Sequence, residues 1–294
     1  MLDLEQLAVR RLERLADAQR REGRLDEARG TVERLLSMAP DHWRADRLLA
    51  SLSDRPPGLP ARPDELTPAP FVRVPAFLPP GENAAWLETF VALAHRFLPA
   101  SIGRTAADGS SERAVDPDYR RSQCLRDVFD YVDPALERSF RAKLGDGLSA
   151  VCERLRVRPF DLRRVELQAL IYRDGDFFAA HRDIGWPGNT RRITLAYYLH
   201  ALPRRFTGGD LVLYDTFRRP GPPTLEEPGF EPAAFTRIPS ANNELVCFPS
   251  EFYHAATPVT GVGDDVRDAR MAIVGWVHTT EEDGDPASLA STPY

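Results

Sequence analysis

The chain has 294 residues, of which 43% are hydrophobic and 28% charged, and its formal net charge is −6 at pH 7. This composition is typical of a soluble protein with one large domain and a smaller unit. The negative net charge disfavours DNA or RNA as a partner, although a local basic patch such as Arg120 and Arg121 could still bind nucleic acid. The three cysteines are far apart and form no CxxC pair, which argues against a disulfide framework or a cysteine-rich zinc site. We therefore expect a reducing compartment.

The N-terminal stretch MLDLEQLAVRRLERL carries a charge every few positions. It lacks the uninterrupted apolar stretch of a signal peptide, and no later run reaches membrane-spanning length. The sequence therefore predicts a cytoplasmic protein with no membrane partner.

Residues 1 to 53 are predicted to form a small all-α segment. Gly23 breaks the apolar pattern between two helices, while Pro40 and Asp41 are expected to end the second helix and to cap a third, which runs from Trp43 to Leu52. The apolar residues at helical spacing in the first two helices are Leu12, Leu15, Ala16, Leu25, Ala28, Val32, Leu35 and Leu36. We expect two antiparallel helices with the third leaning on them.

This segment resembles a tetratricopeptide repeat. The residues that carry the resemblance are Leu12, Ala16, Gly23, Ala28 and Pro40, in the stretch LADAQRREGRLDEARGTVERLLSMAPDH. Only one repeat and part of another are present, and about three are normally needed to bury a continuous core. The segment should therefore lean on the rest of the chain or on a second subunit, which would make the protein a homo-oligomer. It is either a peptide-binding module or an amphipathic helical cap without a binding role.

Residues 54 to 70 contain six prolines and are predicted to form a stiff, extended linker. The second domain, residues 71 to 280, begins with the strand-like segment FVRVPAF. Two amphipathic helices follow, and their apolar faces are expected to lie against a sheet. The first carries Trp86, Phe90, Leu93 and Phe97, and the second carries Leu136, Phe140, Leu144, Leu148 and Val151.

From about residue 163 the apolar pattern changes to the alternation of β-strands. The predicted strands are RRVELQALIY, FFAAHRD, RRITLAYYL, DLVLYD, FTRIP, ELVCF, FYHAA and RMAIVGWVH. Short strands with no helix pattern between them favour an antiparallel jelly roll, so the predicted fold class is α+β: a double-stranded β-helix with supporting helices. The Pro-rich stretch 216 to 234 is predicted to be a lid, a specificity loop or a disordered insertion, and residues 281 to 294 a C-terminal tail.

One HxD motif, His181-Arg182-Asp183, lies in a predicted strand. Residues two apart on a strand face the same side, so His181 and Asp183 can reach one metal ion while Arg182 points away. His254, on a later strand, can supply a third ligand, although either histidine taken alone would also fit an ordinary packed or surface position. Two imidazoles and one carboxylate leave coordination positions open, which is the arrangement of iron(II) oxygenases.

Arg270 opens a strand as apolar as MAIVGWV, where an isolated cation would be costly to bury. A small carboxylate bound by the Arg270 guanidinium would pair this charge. The alternatives are an internal ion pair or an exposed position at the strand end.

The region from Leu167 to His278 resembles the catalytic core of the 2-oxoglutarate and iron(II) dependent dioxygenases of the prolyl 4-hydroxylase type. The segments that carry the resemblance are LIYRDGDFFAAHRD, RRITLAYYLH, FTGGDLVLYD, ELVCFPSEFYHAATPV and ARMAIVGWVH. The resemblance implies iron ligation by His181, Asp183 and His254, and binding of the distal carboxylate of 2-oxoglutarate by Arg270, with Arg267 as a rival for that role. It also implies that Tyr172 and Tyr197 line the co-substrate pocket.

The implied cofactors are Fe(II), 2-oxoglutarate and O2, with ascorbate as an accessory reductant. Because halogenating relatives replace the carboxylate ligand by a small residue, Asp183 favours hydroxylation or another C–H oxidation, with succinate and CO2 as co-products. The implied substrate is an amino-acid side chain in a peptide or protein, a free amino acid, or a natural-product intermediate. Two other functions stay open: a non-catalytic tetratricopeptide-type adaptor with a degenerate jelly roll, and a cupin-like metalloenzyme independent of 2-oxoglutarate.

Overall fold

The computed structural model describes residues 4–53, 55–60, 62, 65–105, 111–126, 128–157, 160, 162–184, 190–217 and 229–279. Its helices are α1 Leu4–Arg21, α2 Leu25–Met38, α3 Trp43–Leu52, α4 Pro80–Leu93 and α5 Pro134–Leu155. Its strands are β1 Leu66–Thr67, β2 Val72–Pro75, β3 Leu98–Pro99, β4 Ile102–Thr105, β5 Ser111–Ala114, β6 Arg120–Arg121, β7 Gln123–Leu125, β8 Leu162–Tyr172, β9 Phe177–His181, β10 Arg191–Leu199, β11 Thr207–Gly208, β12 Leu211–Phe217, β13 Phe230–Ile238, β14 Glu244–Pro249, β15 His254–Ala256, β16 Val259–Thr260 and β17 Arg270–Thr279. Over the described ranges, no helix combines the length and apolar character needed to span a bilayer.

The three helices predicted at the N-terminus are present. Gly23 makes the turn between α1 and α2 with φ +78°, a left-handed conformation that favours glycine. The predicted cap of α3 is wrong by one residue: the ring nitrogen Nδ1 of His42, and not Asp41, accepts the hydrogen bond from the Ala45 backbone.

The helices α1 to α3 pack on the jelly roll through an ion pair and an apolar contact. Arg20 is fully buried and donates two hydrogen bonds to Asp215 in β12, at 2.7 and 2.6 Å. Leu25 of α2 joins the apolar cluster between the sheets, together with Leu211 and Ile238. The helical segment therefore leans on the rest of its own chain, which is one of the two supports predicted for it.

Two antiparallel sheets form the larger domain, which confirms the predicted α+β jelly roll. The major sheet has the order β2-β14-β10-β17-β8-β7-β3, and the minor sheet has the order β1-β12-β15-β9-β6 with β13 paired to β12. The predicted extent of the loop 216 to 234 is wrong at both ends, because β12 continues to Phe217 and β13 already begins at Phe230. Residues 218 to 228 of that predicted loop lie outside the described residues.

The major sheet is covered on both faces. Its outer face packs against α4 and α5, where Trp86, Phe90 and Phe140 are completely buried. Phe97 belongs to the same cluster, but the prediction that it extends α4 is wrong, since α4 ends at Leu93 and a short 3-10 turn follows. The inner face of the major sheet faces the minor sheet, and the candidate site lies between them.

Candidate metal centre and co-substrate pocket

The predicted metal ligands meet at the junction of β9 and β15. His181 ends β9, His254 begins β15, and the two residues are direct partners across these antiparallel strands, with ring centroids 4.1 Å apart. Asp183 follows β9, and its backbone N–H donates to the carbonyl of Ser250. Ligand atoms of His181, Asp183 and His254 all lie within 4.8 Å of one another. The structure thus brings together the three residues that the sequence pattern selected.

Hydrogen bonds orient both imidazoles toward a common point. The Nδ1 atom of His181 lies 2.9 Å from the Ala179 carbonyl, and that of His254 lies 3.1 Å from the Phe252 carbonyl. Because a carbonyl oxygen can only accept, each Nδ1 carries a proton, and Nε2 is the ring atom of each histidine that faces the candidate metal position. The Nε2 atoms face the Asp183 carboxylate, at 3.8 Å for His181 and 3.3 Å for His254.

Burial sets the charge state of these groups. It lowers the pKa of His181 to about 3, with a further contribution from His254, so the imidazole is neutral at pH 7. Burial alone would raise the pKa of Asp183, but His254, His181 and the Thr194 hydroxyl, which donates to Oδ2 at 2.7 Å, hold it below its ordinary value. The two imidazoles and the ionised carboxylate, each fixed by a second hydrogen bond, fit an iron(II) ion.

Two phenylalanine rings pack against the histidine ligands. Phe178 stacks flat on His181, with centroids 3.6 Å apart, and Phe248 meets His254 edge-on at 4.7 Å. Phe178 reaches the same face as His181, three residues away, because the pairing of β9 with β15 contains an irregularity. Strict alternation along a strand would have placed Phe178 on the other face, so the sequence pattern missed this contact.

Arg270 lies on the inner face of β17, directly across from Tyr172 in β8. The residue is 4% exposed, and its Nε and Nη1 atoms are buried with no hydrogen-bond partner in the described part of the chain. Its guanidinium lies 4.4 Å from the Tyr172 ring centre and 4.9 Å from that of Tyr198. A buried cation with unused donors requires an anion, and a carboxylate matches the guanidinium geometry.

Gly209 makes room for the Arg270 side chain. A Cβ atom at this position would lie 2.8 Å from Cδ of Arg270 and 3.0 Å from the Val259 side chain, and the φ of +67° also favours glycine. Apolar residues pack in one cluster with Tyr172, the ring partner of Arg270: Phe206, Ala256, Val259 and Val274. Ala256 follows His254 by two residues on β15, so this pocket adjoins the three candidate ligands.

The rival arginine lies elsewhere. Arg267 is exposed and donates from both terminal nitrogens to Glu88, at 2.6 and 2.7 Å. Its charge is already paired on the surface, whereas no acidic residue in the described ranges pairs with Arg270.

Tyr197 does not line the pocket, and the prediction for this residue is wrong. Its side chain lies on the outer face of β10, where the hydroxyl donates to Asn83 at 2.6 Å and lies 3.1 Å from Asn243. Tyr198, the next residue, points inward to Arg270. Alternation of β-strand side chains places one of two neighbouring tyrosines on each face, and the segment AYYL contains no signal that distinguishes them.

Comparison with known proteins agrees with this geometry. Residues 167–278 match the family model described as the 2OG-Fe(II) oxygenase superfamily. An uncharacterized PKHD-type hydroxylase of Synechocystis sp. is 26% identical over 211 residues, which are 71% of this chain and 63% of that relative. The match thus spans less than two thirds of the relative's length.

Two solved structures are also similar. A prolyl-4-hydroxylase of Pseudomonas putida has a TM-score of 0.49 and 17% identity, covering 72% of this chain and 94% of its own. A prolyl hydroxylase of Trichoplax adhaerens, in complex with a hypoxia inducible factor peptide fragment, has a TM-score of 0.47 and 18% identity, covering 75% and 87%. The sequence match to the 2OG-Fe(II) oxygenase superfamily model is confined to residues 167–278.

Proposed function

We propose that the protein is a 2-oxoglutarate and Fe(II) dependent dioxygenase that hydroxylates an amino-acid side chain, in a peptide or protein, in a free amino acid or in a natural-product intermediate. One observation carries this proposal: a His-Asp-His triad with both Nε2 atoms facing the carboxylate adjoins a buried guanidinium that has no anionic partner among the described residues. Either feature alone fits many proteins. Together they match a metal ion and a dicarboxylate bound side by side.

Each residue of the site has a distinct task in this proposal. His181, Asp183 and His254 would hold Fe(II), and Arg270 would bind the distal carboxylate of 2-oxoglutarate. When bound, iron and 2-oxoglutarate supply the oxidising chemistry with O2, and succinate and CO2 are the co-products.

The surrounding residues keep these groups in place. The hydroxyl of Thr194 fixes one oxygen of Asp183. Tyr172, which is 2% exposed, and the apolar residues of its cluster exclude water from the pocket around Arg270. The carboxylate at position 183 supports hydroxylation over halogenation, since it occupies the position that a halide would need.

The test combines metal binding with product analysis. Anaerobic calorimetry with Fe(II) should give one binding site that His181→Ala abolishes and that the exposed His95→Ala leaves intact. With Fe(II), 2-oxoglutarate and ascorbate, the protein should release succinate and add one oxygen to a member of a peptide or metabolite pool. Absence of both iron binding and succinate release would favour the adaptor function. Metal-dependent activity that ignores 2-oxoglutarate and survives Arg270→Ala would favour a cupin-like enzyme.

The helical segment is proposed to be a cap on the jelly roll. The buried Arg20–Asp215 pair and the packing of Leu25 against the apolar cluster of the jelly roll support this role over that of an independent peptide-binding module. We place the reaction in the cytoplasm, which the free thiols of Cys124, Cys152 and Cys247 support.

A further inference from the structure

Another buried arginine, Arg120, lies near the candidate metal centre. Arg120 belongs to β6, the edge strand of the minor sheet that pairs with β9. It is 8% exposed, and its guanidinium lies 4.6 Å from the ring centre of Phe178, its direct partner in β9. Phe178 in turn stacks on His181. Arg120 is therefore separated from a candidate iron ligand by a single aromatic ring.

Among the described residues, no carboxylate lies within ion-pair distance of Arg120. Its one hydrogen bond there runs from Nε to the Ser122 hydroxyl at 3.1 Å, so both terminal nitrogens lack a protein acceptor. Burying a cation without an anion is costly, and a π-face with one hydroxyl offsets only part of that cost. By contrast, the buried Arg20 has Asp215 as a bidentate partner.

Like Arg270, Arg120 is a buried arginine with donors that no described residue accepts, although its terminal nitrogens are not fully buried as Nε and Nη1 of Arg270 are. In the proposed site, the positive charges of iron(II) and Arg270 balance the negative charges of Asp183 and a dianionic co-substrate. None of these groups then balances the positive charge of Arg120. We propose that Arg120 binds a carboxylate of the substrate, so that the enzyme selects substrates bearing a carboxylate beside the oxidised carbon. This inference rests on the proposed function and adds the substrate class. The carboxylate is either the α-carboxylate of a free amino acid or the side chain of an acidic residue in a peptide.

Arg121, the next residue of β6, is a matched control. It carries the same charge, but it is exposed, stacks on Phe177 at 5.1 Å and donates from Nε to the Pro117 carbonyl at 3.3 Å. Arg121→Gln therefore removes an equal charge close to the site without removing the buried guanidinium. Arg120→Lys keeps the charge and loses the planar pair of donors.

The probes are two matched collections incubated with the iron-loaded protein, 2-oxoglutarate and O2. One contains peptides that differ only by Glu or Gln, and the other contains free amino acids and their carboxamides, so the two sources of a carboxylate are separated. Mass spectrometry detects products heavier by one oxygen. We expect products from the carboxylate-bearing members only, with Arg120→Gln lowering their kcat/KM by roughly tenfold to a hundredfold. Arg120→Lys should lose part of that activity, and Arg121→Gln should keep it.

The melting temperature separates substrate binding from a structural role. A binding residue that is buried without an anion costs stability, so Arg120→Gln should melt no lower than the parent protein. Equal oxidation of acid and amide members would overturn the proposal, and so would an equal loss of activity in Arg120→Gln and Arg121→Gln. A lower melting temperature in Arg120→Gln, with unchanged selectivity, would also overturn it. Failure to bind iron or to convert 2-oxoglutarate would instead refute the proposed function itself.

Discussion

Tyr197 and Tyr198 are neighbours in β10, yet their hydroxyl groups lie on opposite faces of the major sheet. The hydroxyl of Tyr197 donates to Asn83 in α4, while the ring of Tyr198 lies against Arg270 in the pocket. Burial raises the pKa of Tyr198 to about 12, so its hydroxyl stays protonated and can donate to a carboxylate held by Arg270.

Tyr198→Phe and Tyr197→Phe should therefore have different effects. Without the Tyr198 hydroxyl, the KM for 2-oxoglutarate should rise by roughly tenfold with iron binding unchanged, since one hydrogen bond to a charged group is lost. Tyr197→Phe should instead lower the free energy of unfolding by about 1 kcal/mol and leave that KM unchanged. Succinate release at varied 2-oxoglutarate and denaturant unfolding measure the two effects. The reverse result would place Tyr197, and not Tyr198, in the pocket.

Replacing Arg270 and Arg267 one at a time, near the start of β17, should distinguish a cation that binds 2-oxoglutarate from a cation on the surface. Arg270→Ala should retain Fe(II) binding and raise the KM for 2-oxoglutarate at least tenfold, because its guanidinium has no anionic partner among the residues that the structure describes. Arg267→Ala removes an exposed pair with Glu88 and should leave both quantities unchanged. Unchanged saturation in Arg270→Ala, with Arg267→Ala impaired, would show that the roles are exchanged.

Asp215→Ala should test how the helical segment is attached. This change removes the bidentate partner of the completely buried Arg20, which keeps only Asp17 as an acidic partner, at 2.8 Å. Breaking a buried pair costs about 3–5 kcal/mol of unfolding free energy when no partner remains, so we expect a loss below that range. Glu27→Ala, which removes one acidic partner of the exposed Arg24, is the control and should be close to neutral. Equal melting temperatures for Asp215→Ala and the parent protein would show that the contact between α1 and the minor sheet contributes little.

Glu166 should make stability depend on pH in the acidic range. The hydrogen bond with His278 lowers the pKa of Glu166 to about 2; burial opposes this shift and Arg191 adds to it. Because the folded-state pKa lies below the ordinary value of 4.5, the stabilisation is complete above that pH and is lost as the pH falls from there toward 2.

Solvent screening limits the contribution of Glu166 to the free energy of unfolding. The Glu166 side chain is 38% exposed, so the contribution should stay below about 1 kcal/mol. Urea unfolding at neutral pH and near pH 3 should show a smaller acid-dependent loss of stability in Glu166→Gln than in the parent protein. An identical loss in both proteins would assign the acid sensitivity to other carboxylates.

Local sequence patterns were sufficient to predict the helices, the alternation of the strands and the HxD pair, because each of these depends on residues close together in the chain. The spacing of His181 and Asp183 alone put both side chains on one face. By contrast, the weakly patterned region between Leu98 and Leu125 contains the short strands β3 to β7, which the sequence did not predict. Such strands are stabilised by the partners they pair with, and not by their own composition.

The sequence by itself determined the fold class and the chemical character of the centre. The spacing of apolar residues indicates helices and strands, and the residue types show which side chains can act as metal ligands. Only the tertiary structure decided which tyrosine faces Arg270, which of two arginines has an unpaired charge, and that Arg120 and Phe178 lie beside His181. These facts depend on strand register, on an irregular pairing and on burial. All three arise from contacts between segments far apart in the chain, so no window of the sequence contains them.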